Sequence, residues 1–263
     1  MHPALQRLFI APSDKPAPRL SRAISGLLTI AVVIAVAVPA CQKSGLLWDW
    51  SAIAEYKQLF LKGWINTLKI SLAALLLSSL LGTVTALGSN SQILPFRHLC
   101  NGYIALIRGT PLLAQIYLLF YVVAHAAGIE NRFWSGVIAL SLFSSAYIAE
   151  ILRAAFNSIA ASQLEAAAAI GLTPTQTLRH VIFPQALRTV LPPLAGQFVS
   201  LIKDSSLLSI IGIDELTQNA KNVASYTFSN FESYLLLAVA YLILTLPISL
   251  LSRHLESRVH YDH

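Results

Sequence analysis

Between residues 157 and 188 the sequence sets polar and turn-forming residues at helix-terminating spacings. Ser162 stands three residues before Glu165, the spacing of a capping box, and the run Glu165-Ala166-Ala167-Ala168-Ala169 is strongly helix-prone. Gly171 supplies the left-handed position that ends such a helix. Thr173 and Pro174 then cap and open a second helix, expected to run to Phe183 and to stop at Pro184. A helix–turn–helix with an alanine surface lets a partner approach closely and offers one charge, Glu165. That is the chemistry of docking. Taken alone, the pattern is weak and also fits a solvated connector.

A second group of polar residues lies in apolar surroundings, where charge is costly and marks a candidate solute path. Gln197, Ser200 and Lys203 or Asp204 recur at three- to four-residue steps on one helix face. Lys203 and Asp204 are adjacent and so cannot face each other on a helix. They either address the opposite charges of a zwitterion or pair with separate neighbouring helices. Glu150 and Arg153 are three apart and can pair to brace their span. Arg108 precedes Gly109-Thr110-Pro111 and is expected at the inner interface, with Gly109 and Pro111 breaking the helix and freeing backbone groups that could line a cavity. Lys69 is placed to snorkel toward headgroups. His254, His260 and His263 read as a solvated tail, with no metal site. Cys41 and Cys100 are too few for a disulfide framework. H-E-x-x-H, G-x-S-x-G and G-x-x-x-x-G-K-S/T are all missing, so neither an intramembrane enzyme nor an intrinsic ATPase has its signature.

The elements that must position these residues follow from composition. Of 263 residues, 56% are hydrophobic and 11% charged, against roughly 25% charged in soluble domains. At about 20 residues per spanning helix this length holds several spans. One apolar run covers residues 24–40 and reads as an uncleaved anchor helix. Residues 41–62, with Trp48, Trp50 and Tyr56, fit a helix in the headgroup zone. Clear spans follow at 63–88, 99–124, 133–156 and 234–252, and a more polar one at 189–211, opened by Pro192-Pro193.

Charge sorts this layout by side. With the N-terminal tail inside, inner segments carry Arg7, Lys15, Arg19, Arg22, Arg97, Arg153, Arg179, Arg188, Arg253 and Arg258, whereas outer segments carry Lys43, Lys57, Lys62, Arg132 and Lys221. Asp49, Glu55, Glu130, Asp214, Glu215 and Glu232 all fall outside. The net charge of +6 is therefore an orientation signal with both termini cytoplasmic, not a nucleic-acid surface.

Several ordered motifs now converge. Glu165-Ala166-Ala167, Gly171 and Val181-Ile182-Phe183-Pro184 resemble the EAA loop of the membrane subunits of ATP-binding-cassette (ABC) importers. Thr67-Leu68-Lys69-Ile70-Ser71, Arg108-Gly109-Thr110-Pro111-Leu112, Ala146-Tyr147-Ile148-Ala149-Glu150-Ile151-Leu152-Arg153, Leu178-Arg179-His180 through Leu187-Arg188, and Lys203-Asp204-Ser205-Ser206-Leu207 resemble the polar-amino-acid uptake branch of that family. The resemblance covers about residues 61–252. Ala160 and Ser162 depart from the family's usual Pro and Gly, and Ser205 from its usual Thr.

The resemblance implies an all-α integral membrane protein, a type I ABC importer permease core of five transmembrane helices with one extra N-terminal helix. It divides the chain into a cytoplasmic tail (1–23), an anchor helix and interfacial segment (24–60), a permease domain (61–252) with its coupling loop at 157–188, and a C-terminal tail (253–263). It implies that Glu165, Ala166, Ala167, Gly171, Thr173 and Pro184 dock on a separate ATPase. Two ATPase subunits carrying ATP and Mg, a second permease subunit, identical or paralogous, and an extracytoplasmic solute-binding protein are the expected partners in the inner membrane. No cofactor is expected on this chain. An ion-gradient-driven secondary transporter or channel is the alternative; it predicts interrupted helices in two internal repeats, and the sequence has no convincing repeat.

Overall fold

The computed structural model describes residues 21, 24–29, 31, 32, 35 and 50–259. The chain divides into two units, 1–49 and 50–263. In the first, residues 24–29 are helical, with Thr29 Oγ1 donating to Ser25 O. Apart from residues 21, 31, 32 and 35, the rest of the anchor run and the N-terminal tail lie outside the described residues, as do Cys41, His260 and His263.

The second unit is helical throughout its described elements. A short α1 (Trp50–Glu55) leads into α2 (Lys57–Ser89), α3 (Leu94–Gly109), α4 (Leu112–Leu118) and α5 (Arg132–Asn157). Then come α6 (Ala161–Ala169), α7 (Pro174–Thr177), α8 (Phe183–Asp204), a 3₁₀ turn (Ser205–Ile211), α9 (Leu216–Thr227) and α10 (Asn230–Val259). Lys57–Ser89, Arg132–Asn157, Pro174–Ile211 and Asn230–Glu256 are each long and apolar enough to cross a membrane.

Helix α2 explains how such a bundle holds together. Between Gly63 and Thr85 its buried positions are Gly63, Thr67, Ile70, Ser71, Ala74, Ser78, Gly82 and Thr85, all small but Ile70 and mostly at three- and four-residue steps, whereas Leu72, Leu76 and Leu80 point outward. This inverts the pattern of a soluble helix. In a bilayer, leucine gains little by leaving lipid, so close approach of small residues supplies the contact. The facing stripe on α5 is Ser141, Ser144, Ser145 and Ala149. A methyl at Gly82 would fall 2.8 Å from Ile148 Cγ2 and 2.9 Å from the Ser145 carbonyl. Two of the buried hydroxyls bond within their own helix, Thr85 Oγ1 donating to Leu81 O and Ser141 Oγ of α5 to Val137 O at 2.6 Å, whereas Ser71 Oγ is buried without a partner among the described residues.

The break expected at Gly109 and Pro111 divides the run 99–124 into two helices bent by 112°, because Pro111 contributes no N–H and Thr110 and Pro111 are extended. The structure corrects three other sequence expectations. Pro184 does not stop the helix opened by Thr173. The backbone widens to π geometry over Leu178–Ile182, which absorbs the missing N–H, and Pro184 enters the first turn of α8. Pro192 and Pro193 accordingly lie inside α8 and do not open a span; the Pro192 carbonyl accepts from Ser252 Oγ of α10 at 3.0 Å. Finally, Ser162 is not an N-cap. Ala160, extended at ψ 136°, already makes the turn after α5, so α6 begins at Ala161 without a side-chain cap and the Ser162–Glu165 box does not form.

Candidate functional site: the helical connector and the polar face of the bundle

The connector between α5 and α8 builds from its turns. At the end of α6, Gly171 takes φ +77°, letting Leu172 N reach Ala167 O and Gly171 N reach Ala168 O, both at 3.0 Å. This is the paired bonding of a Schellman turn, which closes the last carbonyls of a helix. Two residues on, Thr173 Oγ1 accepts from Gln176 N while Thr173 N donates to Gln176 Oε1 at 2.9 Å, a complete capping box that starts α7 with Pro174 in its first turn. The connector is tied back to the bundle by Gln185 Nε2, which donates to Gln163 Oε1 and to Val181 O.

The result is a rigid protrusion with an open outer surface. Ala167 is buried under α6, while Glu165, Ala166, Gly171, Thr173 and Pro184 are exposed. Ile170, at the tip, is 76% exposed. A space beside Gly171 is empty to 4 Å. Small side chains around the exposed Leu164 and Ile170 make a knob shaped for a complementary cleft and carry no group for covalent chemistry.

Directly above the connector, Glu150 near the end of α5 collects two cations. Arg153 donates through Nε to Oε1 at 2.8 Å and through Nη2 to Oε2 at 2.9 Å, and Arg108, from the end of α3, donates through Nη1 to Oε2 at 2.8 Å. The Arg108 guanidinium also lies 5.7 Å from the centroid of the Tyr147 ring. The fork geometry of arginine makes this a charge-assisted clamp. It joins the bend after Gly109 to the start of the connector, and the Arg108–Glu150 pairing was not read from the sequence.

The polar residues of α8 are brought together only in part. Gln197 Nε2 donates to Ser144 Oγ of α5 at 3.0 Å, so its amide is spent on packing. Ser200 and Asp204 are half-buried and Lys203 is exposed. Among the described residues Lys203 and Asp204 form no ion pair with each other, as adjacency on a helix requires.

Two polar residues escaped the sequence reading. Gln115, buried, bends its amide back across the break, with Nε2 at 2.8 Å from both Ile107 O and Thr110 Oγ1, and so fastens α4 to α3. Its position just past Gly-Thr-Pro was the available signal. Glu215, with no exposed surface, caps α9. The charge pattern places it only as an outer acid, whereas its position before the helical run Leu216-Thr217-Gln218 is that of an N-cap.

Known proteins carry the same organisation. The family described as binding-protein-dependent transport system inner membrane component matches residues 78–261. The probable glutamine ABC transporter permease protein GlnM of Bacillus subtilis is 35% identical over 209 residues, 80% of this chain and 97% of its own. The glutamine transport system permease protein GlnP of Escherichia coli is 36% identical over 214 residues, 81% of this chain and 98% of its own. A crystal structure of an amino acid ABC transporter with histidines superposes with a TM-score of 0.75 at 38% identity, covering 81% of this chain and all of the matched one.

Proposed function

This chain belongs to the family of binding-protein-dependent transport system inner membrane components, and on that premise we propose that it is the membrane-spanning permease subunit of an ATP-driven importer of a polar amino acid. It is a multi-pass membrane protein, and its membrane-spanning fold is the one on which amino acid ABC transporters are built. The observation that carries the reading to a mechanism is the exposed α6 knob. A helix held out between two spans by a Schellman turn and a capping box is a handle, and this chain carries no phosphate-binding loop of its own to move it.

In this reading α6 seats in a groove on a separate ATPase subunit through Glu165, Ala166 and Gly171, flanked by Thr173 and Pro184, while the buried Ala167 packs the inner face of the helix and does not itself touch the groove. Closure of two ATPases around ATP draws two such knobs together. A second permease subunit supplies the other knob, and an outer binding protein delivers the solute. Both termini of the permease are cytoplasmic, on the side of the connector. The Arg108–Glu150–Arg153 clamp passes displacement of the connector to the ends of α3 and α5, so that it tilts spans and does not merely flex a loop. Lys203 and Asp204, at the far end of α8, meet the charged groups of the passing amino acid.

The test is reconstitution. The chain co-expressed with its ATPase should be recovered from mild detergent as one complex. In proteoliposomes it should accumulate one or a few polar amino acids from a radiolabelled panel, only with internal ATP and the matching binding protein. Uptake driven by a proton or sodium gradient without ATP would overturn the assignment.

A further inference from the structure

Glu215 is an acid with no exposed surface, and all its hydrogen-bond donors are neutral. Its carboxylate accepts from Gln218 N at 2.6 Å, Thr217 N at 2.8 Å and the Tyr241 hydroxyl of α10 at 3.0 Å. Tyr241 also lies 3.1 Å from Thr217 Oγ1 and interacts with Ser205. An isolated helix cap needs only the two backbone donors. The third ties the cap to the last span.

The turn that Glu215 closes begins at Asp204. The 3₁₀ segment Ser205–Ile211 starts on the residue after it, Gly212 turns at φ +69°, and Leu208, Ile211 and Ile213 are buried in one cluster with Ile70 and Ala74 of α2 and Val137 and Leu140 of α5. The return limb is fastened at four points. Asn66 Nδ2 of α2 donates to Asp214 O at 2.8 Å, Leu216 N donates to Thr67 Oγ1 at 3.1 Å, and Asn219 Nδ2 donates to Leu59 O at 3.0 Å. Lys221 Nζ donates back to Ser209 Oγ at 2.8 Å. Gly63 admits this approach, since a methyl there would lie 2.8 Å from Asn219 Nδ2 and 2.9 Å from Leu216 Cα. The end of α8 is thus the near limb of a hook whose far limb is joined to α10 by the Glu215 carboxyl group.

We propose that Glu215, acting through Tyr241, is the positioning residue that fixes the Lys203–Asp204 end of α8 to the last span, so that both move as one body during transport. The proposal rests on the permease reading and adds to it the group that holds its solute-facing segment. Cutting the lock leaves the helices inserted but lets the hook lag behind α10, which slows turnover without changing how the binding protein delivers solute.

The experiment uses the full complex in proteoliposomes with Glu215→Gln, Tyr241→Phe and the double variant, assembly being checked by the co-purified ATPase. Each single variant is expected to lower kcat for uptake about tenfold while KM for the loaded binding protein stays within twofold. The double variant is expected to lose about the same tenfold, because the two groups serve one contact. Tyr241→Phe leaves both backbone donors on Glu215 and so reports even if Glu215→Gln fails to fold. Uptake within twofold of wild type in Tyr241→Phe, a loss carried in KM, or a multiplicative hundredfold loss in the double variant would each overturn the positioning role. A wild-type complex without ATP-driven uptake would instead overturn the permease reading on which it rests.

Discussion

The connector at Gly171 and the hook at Gly212 are written in the same local code and end in opposite surroundings. In each, a short helical element runs into a glycine in the left-handed region, at φ 77° and 69°, and a capping side chain two or three residues later starts the next helix. Thr173 makes its cap in the open; Glu215 makes its cap with no exposed surface. The difference lies in what packs on top. Around α6 the outward residues include alanines, Leu164, Glu165 and Ile170, and among the described residues they stay exposed, so the turn presents a shape. Around α9 the small residues Gly63 and Thr67 of α2 bring a whole helix against the turn, so the turn becomes interior. Local sequence sets the turn in both places; the neighbouring helix decides whether it is a handle or a fastening.

The largest effect that would break this contrast is expected at the buried cap. Glu215→Leu strips two backbone N–H groups of their acceptor away from water and leaves the Tyr241 hydroxyl with Thr217 Oγ1 as its partner. At about 1–3 kcal/mol for each unsatisfied group, a loss of roughly 2 kcal/mol or more follows, read as a fall in Tm of the detergent-solubilised chain. A loss no greater than that of an exposed cap would erase the distinction. The same site has a pH signature. Burial outweighs the helix-end donors and holds the Glu215 pKa at about 7, against 4.5 for an ordinary glutamate. The fold therefore favours the protonated acid, and the unfolded chain releases its proton first. The contribution of Glu215 to stability is full below about pH 4.5 and is lost as pH rises to about 7. Subtracting the Tm profile of Glu215→Gln from that of the wild type should leave this declining trend, and a flat difference would refute it.

The exposed turn is expected to fail in the opposite way, in function more than in stability. Gly171→Asp adds about 1 kcal/mol of positive-φ strain but, like Glu165→Lys, changes a surface with open space around it, so the chain should still insert and pack. Uptake by the reconstituted complex should nevertheless fall tenfold or more, because in the docking proposed for α6 the altered charge would face the ATPase groove. Normal uptake by either variant would remove the docking role from α6.

Legibility in the sequence follows the same division. The connector was readable because its signals are local: an alanine run, a glycine, then Thr173-Pro174, all within one turn of the groups they satisfy. Its two misread points, Ser162 and Pro184, failed where the backbone had a second solution, an earlier start at Ala160 and a π turn that accommodates proline. The spans were readable from apolar length, and the 112° break from Gly109 and Pro111 only as a tendency. Glu215 was not readable as a fastening, since its third donor is on Tyr241 and its cover is Gly63 and Thr67, residues far apart in sequence whose contact exists only once α2, α9 and α10 have packed. Arg108 on Glu150 failed for the same reason, whereas Arg153 on Glu150 was visible as a three-residue spacing.

A finer comparison uses the two glycines themselves. Replacing either by alanine places a Cβ at positive φ, costing about 1 kcal/mol. At Gly171 nothing lies within 4 Å of that Cβ, so strain is the whole effect. At Gly212 it meets Arg132 Nη1 at 3.2 Å, the same guanidinium that donates to Gly212 O. Gly212→Ala should therefore lower Tm by at least as much as Gly171→Ala and should also disturb the hook. Equal Tm values with equal uptake would show that the two turns share their surroundings as well as their code.

The smallest effect is expected at the exposed cap. Thr173→Ala removes one acceptor for Gln176 N in a position open to water, where solvent replaces the lost bond, so about 1 kcal/mol or less is at stake. Global Tm should hardly move, because α7 is a single turn continuous with the long helix that Pro174–Ile211 forms. Amide exchange is the sharper measurement: protection at Gln176 and Thr177 should fall in Thr173→Ala and return in Thr173→Ser, which restores the oxygen without the methyl. If exchange instead rose along the whole of α8, the cap would be holding the span and not its first turn, and the connector would be as much a fastening as the hook.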